Sequence, residues 1–301
     1  MPSQMRHDLL MKLAVFPLLL LQLVSLATSQ QTPHTKQKSG AVSGTIRSVP
    51  DPADMLRRIQ ANQKQIEQRR KDYICDFTEE TQTLDKDGAV KKTETKGYEL
   101  FFESGREIVR QVSNEGRALD EHEARKEEKR VNEEIKKARE RAAKREKHPE
   151  EEDKDEVRLD RMLQAVTLKN GRFEDSKGRE VLAYDFEPNP DFKPRKLSES
   201  FFNKMVGTIW VDPQDLDVAR FEARLVEDFK IAGGLLVSLK KGSAMVVEQE
   251  RINEEVWLPS LVDGGFGARV FLLKSEHARI VDKFSNYRKF RVATEIKPAE
   301  P

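Results

Sequence analysis

The last third of the chain, residues 206–293, is patterned as a run of β-strands separated by turns. The strands lie in VGTIWVDPQDLDVARFEARLVEDFKI, GSAMVVEQERINEEVWLPSLVD and GARVFLLKSEHARIVDKFSNYRKFRVAT. Within VARFEARL, the apolar residues Ala219, Phe221 and Ala223 alternate with charged residues. This alternation predicts a strand with one buried face and one face in water. Strands in this number predict a curved antiparallel sheet, and whatever fills its buried face determines what the protein does.

A helix and three further strands are predicted before that region. Asp51 is suited to cap a helix, and Pro52 suits its first turn. Met55 and Ile59 then fall on one face, so the helix is expected to lie against the sheet along a narrow stripe, to about residue 71. A three-stranded meander follows, with its first tight turn at Asp87-Gly88.

Residues 118–164 interrupt the β-pattern with a highly charged segment that is rich in helix-forming residues. Its apolar residues make a thin stripe similar to that of a coiled coil, which includes Val131, Ile135 and Ala138. One interpretation is a mobile arm whose helix binds a partner protein. The other is a solvated helix laid over the edge of the domain, which is the usual role of helices with many charges.

The first 29 residues resemble an export signal. Arg6 and Lys12 supply positive charge, residues 13–27 are apolar, and small residues suited to cleavage follow. The alternative is a membrane anchor, but the apolar run is shorter than the roughly 20 residues that a spanning helix needs. Residues 30–50 are predicted to be a disordered linker, and residues 295–301 a tail.

Cysteine content bears on both anchoring and redox state. Cys75 is the single cysteine, so the chain has no internal disulfide and no lipid-acceptor cysteine near the cleavage site. The sequence therefore predicts a periplasmic or secreted protein with no stable membrane anchor after cleavage. Strand alternation places Cys75 on the same face as Tyr73 and Phe77, where it is expected to be buried and unreactive.

Charge and motif content disfavour several functional classes. The 54 basic and 53 acidic residues nearly cancel, so no basic footprint for nucleic acid is present. The five histidines lack the spacing of metal ligands, and no hydrolase, nucleotide-binding or metalloprotease motif occurs. We therefore expect a binding protein rather than an enzyme, with no cofactor and no metal. An enzyme that uses scattered acidic residues is the third hypothesis.

The order of these elements resembles the periplasmic lipoprotein-localisation superfamily, which comprises outer-membrane lipoprotein carriers, their receptors and periplasmic sensors. The resemblance rests on the leader, the first helix and the late series GTIWVDPQD…ARFEA…EEVWLPS…YRKF. It implies an α+β domain over residues 51–294, in which a curved antiparallel sheet forms an open half-barrel with an N-terminal helix. The charged helical arm of residues 118–164 is then an insertion.

The resemblance implies an apolar groove that binds a lipid or the acyl chains of a lipoprotein, or a sensor of the same fold. Aromatic side chains expected to line this groove are Trp210, Phe221, Trp257 and Phe271, with ordinary core packing as the alternative for each. The alternative function is an envelope scaffold, in which the sheet core is filled and residues 118–164 bind a protein partner.

Overall fold

The computed structural model of the protein describes residues 48–147, 164–195, 197–231, 237–270 and 274–290. The leader, nearly all of the predicted linker and the tail lie outside these described residues. The linker's last residues are packed rather than free: Val49 contacts the hydrophobic core, and the carbonyl of Pro50 accepts a hydrogen bond from the Tyr184 hydroxyl at 3.0 Å.

The N-terminal helix, α1 (Pro52–Arg70), forms where the sequence predicts it. The Asp51 carboxylate accepts hydrogen bonds from the backbone N–H groups of Ala53 and Asp54, at 3.0 and 3.1 Å, and so caps the first turn. Met55 and Ile59, one turn apart, are both fully buried in the main core. The helix is therefore held on the sheet by a narrow stripe, as its composition predicts.

The described residues form thirteen strands and two further helices. The helices are α2 (Glu121–Lys147) and α3 (Leu197–Phe202). The strands are β1 (Tyr73–Leu84), β2 (Val90–Glu103), β3 (Arg106–Asn114), β4 (Arg117–Ala118), β5 (Val166–Ser176), β6 (Arg179–Pro188), β7 (Met205–Val211), β8 (Val218–Leu225), β9 (Phe229–Ile231), β10 (Val237–Leu239), β11 (Ala244–Ile252), β12 (Val256–Val270) and β13 (Lys274–Lys289). Among the helices so described, none is long and apolar enough to cross a membrane.

All the strands belong to one antiparallel sheet in the order β4-β3-β2-β1-β13-β12-β11-β8-β7-β6-β5, with β10 pairing both β12 and β9. The sheet is curved and does not close into a barrel, so the predicted α+β half-barrel fold is confirmed. Among the described strands the last, β13, pairs with the first, β1, so segments far apart in sequence meet within the sheet. We call the face that packs against α1 and α3 the inner face, and the opposite one the outer face.

The charged helix α2 lies over one edge of the sheet. Val131 and Ala138 are buried on the outer face against Ile108 and Phe101. At the edge strand β3, the carboxylate of Glu127 accepts a hydrogen bond from a backbone N–H, that of Gln111, at 2.7 Å. An Arg130 guanidinium donates to the carbonyl of Val109. The helix therefore satisfies the backbone of a strand that would otherwise be free to pair with another chain.

Replacing Val131 with aspartate is expected to detach α2 from the sheet, because the substitution places a charge in a dry contact and costs about 3 kcal/mol or more. Detachment would expose the β3 backbone, so the amide of Gln111 should exchange with solvent faster and the protein should aggregate more readily. Hydrogen exchange and size-exclusion chromatography measure both effects. Asn132→Asp, at the adjacent exposed position, is the matched control. Equal behaviour of the two variants would contradict the edge-covering role.

Candidate functional site

The inner face carries most of the buried apolar surface of the described residues. Helices α1 and α3 contribute to it with Met55 and Ile59, and with Phe201 and Phe202. The Phe201 ring makes an edge contact with Phe229 at 5.1 Å between centroids. These aromatic and aliphatic side chains form an apolar layer on the inner face.

One row of side chains crosses eight strands of the inner face without a break in register. The row, here called the inner row, consists of Tyr184, Ile209, Phe221, Val247, Val262, Asp282, Glu79 and Lys96, from β6 to β2. Its first five members bear aromatic or aliphatic side chains, and its last three are ionisable. The row therefore changes from a hydrocarbon surface to a charged one where β12 meets β13.

The two carboxyl groups of the inner row are buried. Asp282 is 1% exposed and Glu79 is 6% exposed, and the two residues are direct partners across β1 and β13. Burial raises the pKa of Asp282 to about 8, and the nearby charge of Glu79 adds to this effect. Burial also raises the pKa of Glu79, while the positive charge of Lys96 acts in the opposite direction. Both oxygens of Asp282 lack a hydrogen-bond partner.

An aromatic stack lies beside the two carboxyl groups on the same face. The Phe77 ring packs between Tyr98 and Phe284, with centroids 4.9 and 5.0 Å away. Phe77 also pairs in register with both of them, so the stack forms the next row of the sheet. The Tyr98 hydroxyl is buried without a hydrogen-bond partner, and its pKa is raised by burial and by the charges of Glu79 and Asp282.

A small apolar pocket opens on the other side of the inner row. It encloses about 210 Å³ including its open mouth, and its interior holds about one water molecule. Its lining is almost wholly apolar and contains two flexible methionines. The lining residues are Phe201, Met205, Ala223, Leu225, Leu239, Ser243, Ala244, Met245 and Phe266.

The aromatic residues predicted to line a groove lie in two separate places. Phe221 lies in the inner row, where its ring stacks on Phe186 at 5.2 Å. Trp210 and Trp257 instead pack together in a different cluster, with Val181. The fourth residue, Phe271, lies outside the described residues. Phe221 therefore lies in the inner row, three strands away from Asp282, and is not among the residues that line the apolar pocket.

The two tryptophans are held by polar partners as well as by packing. The indole N–H of Trp210 donates to Glu174 at 2.6 Å, and the Arg220 guanidinium lies 5.5 Å from its ring centroid. Arg179 stacks over Trp257 at 5.9 Å. Tryptophans whose indole N–H or ring face is already occupied by a neighbouring side chain typically have a structural role.

Trp210 pairs with Arg220 and so lies on the face opposite Phe221, whereas a β-bulge explains why Ala219 separates from Phe221. Across β7 and β8, Trp210 pairs with Arg220 whereas Val211 pairs with Val218, so Ala219 is an extra residue in β8. Ala219 packs in the tryptophan cluster and not with Phe221. The prediction that Ala219 shares a face with Phe221 is therefore wrong, because strict alternation does not anticipate the extra residue.

Sequence reasoning missed Asp282, Glu79 and Tyr98. A signal for the first two was present, since Asp282 stands in phase with Phe284, and Glu79 stands in phase with Phe77. A charged residue at an inward position of a strand indicates a special site rather than a solvated one.

The environment of Cys75 agrees with its predicted role. The residue is 2% exposed and packs in the same cluster as Phe77 and Leu100. Burial raises the pKa of its thiol to about 12, so the reactive thiolate is scarcely populated at neutral pH. The expectation of a buried cysteine is confirmed, and the raised pKa agrees with the expected low reactivity.

Comparison with known proteins reveals distant similarity of fold. No protein-family model matches the chain, and the curated proteins include no match. One similar solved structure is a DUF1329 family protein from Desulfovibrio piger, with a TM-score of 0.34 and 13% identity, over 81% of this chain and 95% of that one. Another is described as an outer membrane lipoprotein-sorting protein domain from Vibrio parahaemolyticus, with a TM-score of 0.31 and 9% identity, over 81% and 93%. These values are too low to transfer a ligand or an activity to this chain.

The variant Asp282→Asn is expected to be more stable than the natural protein at pH 8, by roughly 3 to 5 kcal/mol. The raised pKa means that folded Asp282 keeps a proton that the unfolded chain releases between about pH 4 and pH 8. Its contribution to stability is therefore lost as the pH rises through this window, and an amide removes the loss. Urea unfolding at pH 5 and pH 8 measures the difference.

The control for this prediction is Asp263→Asn, on the outer face of β12. Asp263 is paired with Arg279 at 2.6 Å, so its replacement should not stabilise the protein at pH 8. A gain from Asp282→Asn that was equal at both pH values would show that its carboxyl group is not kept protonated by burial.

Proposed function

We propose that this protein is exported and binds the hydrocarbon chain of a lipid or lipoprotein on the inner face of its sheet, without catalysing a reaction. The observation that carries the proposal is the apolar pocket beside the inner row, which lies under α3 and is lined almost wholly by hydrocarbon. Export rests on the leader pattern of residues 1–29, and a periplasmic location on the same pattern.

The pocket must enlarge to accept a chain. Its interior has room for about one water molecule, whereas ordinary ligand sites enclose roughly 300 to 1,000 Å³. Met205 and Met245 line it, and an unbranched methionine side chain changes conformation more readily than leucine or valine. The six-residue helix α3 contributes Phe201 as a further wall, and so short a helix is readily displaced. Uptake of a chain therefore requires rearrangement of side chains and of α3, and leaves the sheet in place.

The variant Ala223→Leu is expected to weaken binding of dodecanol about tenfold or more, because the added methylene groups occupy space that the ligand needs. Ala223 lines the pocket from β8, so its longer side chain would project into the cavity. Isothermal titration calorimetry on the polypeptide from residue 30 onward measures its affinity for dodecanol. Ala118→Leu adds the same atoms at an exposed position and is the control.

Two results would contradict the proposal. One is the absence of dodecanol binding by the natural protein together with ligand-free protein in native mass spectrometry after gentle extraction. The other is equal weakening by Ala223→Leu and Ala118→Leu, which would place the bound chain elsewhere.

A scaffold function is the second candidate, and the small size of the pocket favours it. In this case the partner would bind the exposed, charged side of α2. Deleting the helix is a poor test, because the deletion would also uncover the backbone of β3. The triple reversal Lys126→Glu, Lys129→Glu and Lys137→Glu changes exposed positions alone. A scaffold should then lose its partner in a pull-down, whereas a lipid carrier should keep its affinity for dodecanol.

A further inference from the structure

Two buried polar groups on the inner face have no partner. Asp282 has two orphan oxygens at 1% exposure, and Tyr98 has an orphan hydroxyl at 6% exposure. Nearly all buried polar groups in proteins are hydrogen-bonded, and leaving one unpaired destabilises the folded state. The two groups lie near one another, since the charge of Asp282 acts on the Tyr98 hydroxyl. Their joint lack of partners indicates that a donor belongs between them.

We infer that Asp282, Glu79 and Tyr98 bind the ammonium head group of an amphipathic amine whose hydrocarbon chain occupies the adjacent pocket. The placement of the hydrocarbon chain in the pocket rests on the proposed function, whereas the head-group site is proposed in addition to it. The site deepens that function by naming the chemical class of its ligand.

The number of acceptors matches an ammonium group. A primary ammonium has three N–H donors and no acceptor. The Asp282 carboxylate, the Glu79 carboxylate and the Tyr98 oxygen are three acceptor groups on one face. The rings of Phe77 and Phe284 lie next to them, and aromatic faces attract cations. An anionic head group, by contrast, gains no attraction from Asp282, which is either a neutral acid or a carboxylate of the same sign.

A metal ion fits the same residues less well. In the part of the chain that the structure describes, no three or more His, Cys, Asp and Glu side chains converge as a metal site requires. Two carboxyl groups and a phenol supply hydrogen-bond acceptors without completing such a set. The aromatic stack beside them would also offer nothing to a hydrated ion, whereas it offers contact to an alkylamine.

The pocket and the head-group site are joined along the sheet. Met245 lines the pocket and pairs with Gly264, which pairs with Ile280. Asp282 is two residues further along the same face of β13. With strands about 4.8 Å apart and residues about 3.4 Å apart, the Cα atoms of Met245 and Asp282 are separated by about 12 Å. An alkyl chain that entered the pocket would have to cover about this distance for its head to reach Asp282.

Proton exchange accompanies the proposed binding. Burial raises the pKa of Asp282 to about 8, so near neutral pH the free protein holds it mainly as a carboxylic acid. When the ammonium binds, the acid proton passes to solvent and the carboxylate pairs with the cation. The other charged groups that act on the site are Glu94 and Lys96 on β2 and, from α2, Glu127 and Arg130. Only the head group, and not the chain, drives this release.

The test compares three ligands with the same twelve-carbon chain: dodecylamine, dodecanol and dodecanoate. Each ligand is titrated by calorimetry into the polypeptide from residue 30 onward, at pH 6.5. The titrations are repeated in two buffers of different ionisation enthalpy, because the difference in heat gives the number of protons released. We expect dodecylamine to bind roughly tenfold or more tightly than dodecanol, and dodecanoate to bind most weakly. About one proton should be released with dodecylamine and none with dodecanol.

Two variants assign the effect to the site. Asp282→Asn should reduce the preference for the amine over the alcohol to near one and abolish proton release. Glu79→Gln should reduce the preference in the same direction, which provides a second measure if the first variant folds poorly. Asp263→Asn, on the opposite face of the neighbouring strand, should keep the preference of the natural protein.

The outcomes separate the two proposals. Equal binding of amine and alcohol without proton release, or tighter binding of dodecanoate, would overturn the head-group site and leave the proposed function standing. Failure of all three ligands to bind would overturn the proposed function itself. An amine preference that survives in Asp282→Asn would also overturn the assignment to Asp282.

Discussion

The need to bury one face of an open sheet governs the whole structure. A barrel closes on itself, whereas this sheet leaves an inner face and two edges that only other elements can cover. Helix α1 covers part of the inner face through Met55 and Ile59, and α2 covers the β3 edge through hydrogen bonds to the strand backbone. The pocket lies beyond this cover, under the short helix α3. The proposed lipid site lies in this part of the inner face, where the cover is a helix of six residues.

The inner row shows that burial alone does not determine which residues occupy this face. Five of its members are apolar and add to the core, but Asp282 and Glu79 sit in the same dry environment and oppose folding when charged. Replacing a buried unpaired carboxyl group with an amide or hydrocarbon of similar size is generally stabilising. Asp282 is thus a poor choice for stability, and a role for its charge explains its position better than packing does.

Local patterns in the sequence predicted local structure well. The Asp51 cap and the turn at Asp87-Gly88 are found as expected, because each depends on residues close together in the chain. Helix α2 (Glu121–Lys147) occupies the first part of the predicted charged segment, and residues 148–163 lie outside the described residues. The predicted α2 stripe is also correct in its buried members, Val131 and Ala138. The candidate site depends instead on register between distant segments. Glu79 and Asp282 meet because β1 pairs with β13, which no local pattern reveals, and a single bulge moved Ala219 to another cluster.

Under the proposed binding, the negative charge of the buried Asp282 carboxylate can be neutralised in two ways, by a proton or by an ammonium group. Both neutralise the same carboxylate in the same low-dielectric surroundings, so they compete for it. Acidification would therefore favour release of an amine, whereas the hydrocarbon contacts in the pocket are insensitive to protons. The inner row would thus combine two kinds of recognition, an apolar surface that retains the chain and a carboxyl group that distinguishes its head. The two kinds of recognition lie side by side because the inner row changes from apolar to ionisable side chains between Val262 on β12 and Asp282 on β13, which are direct partners.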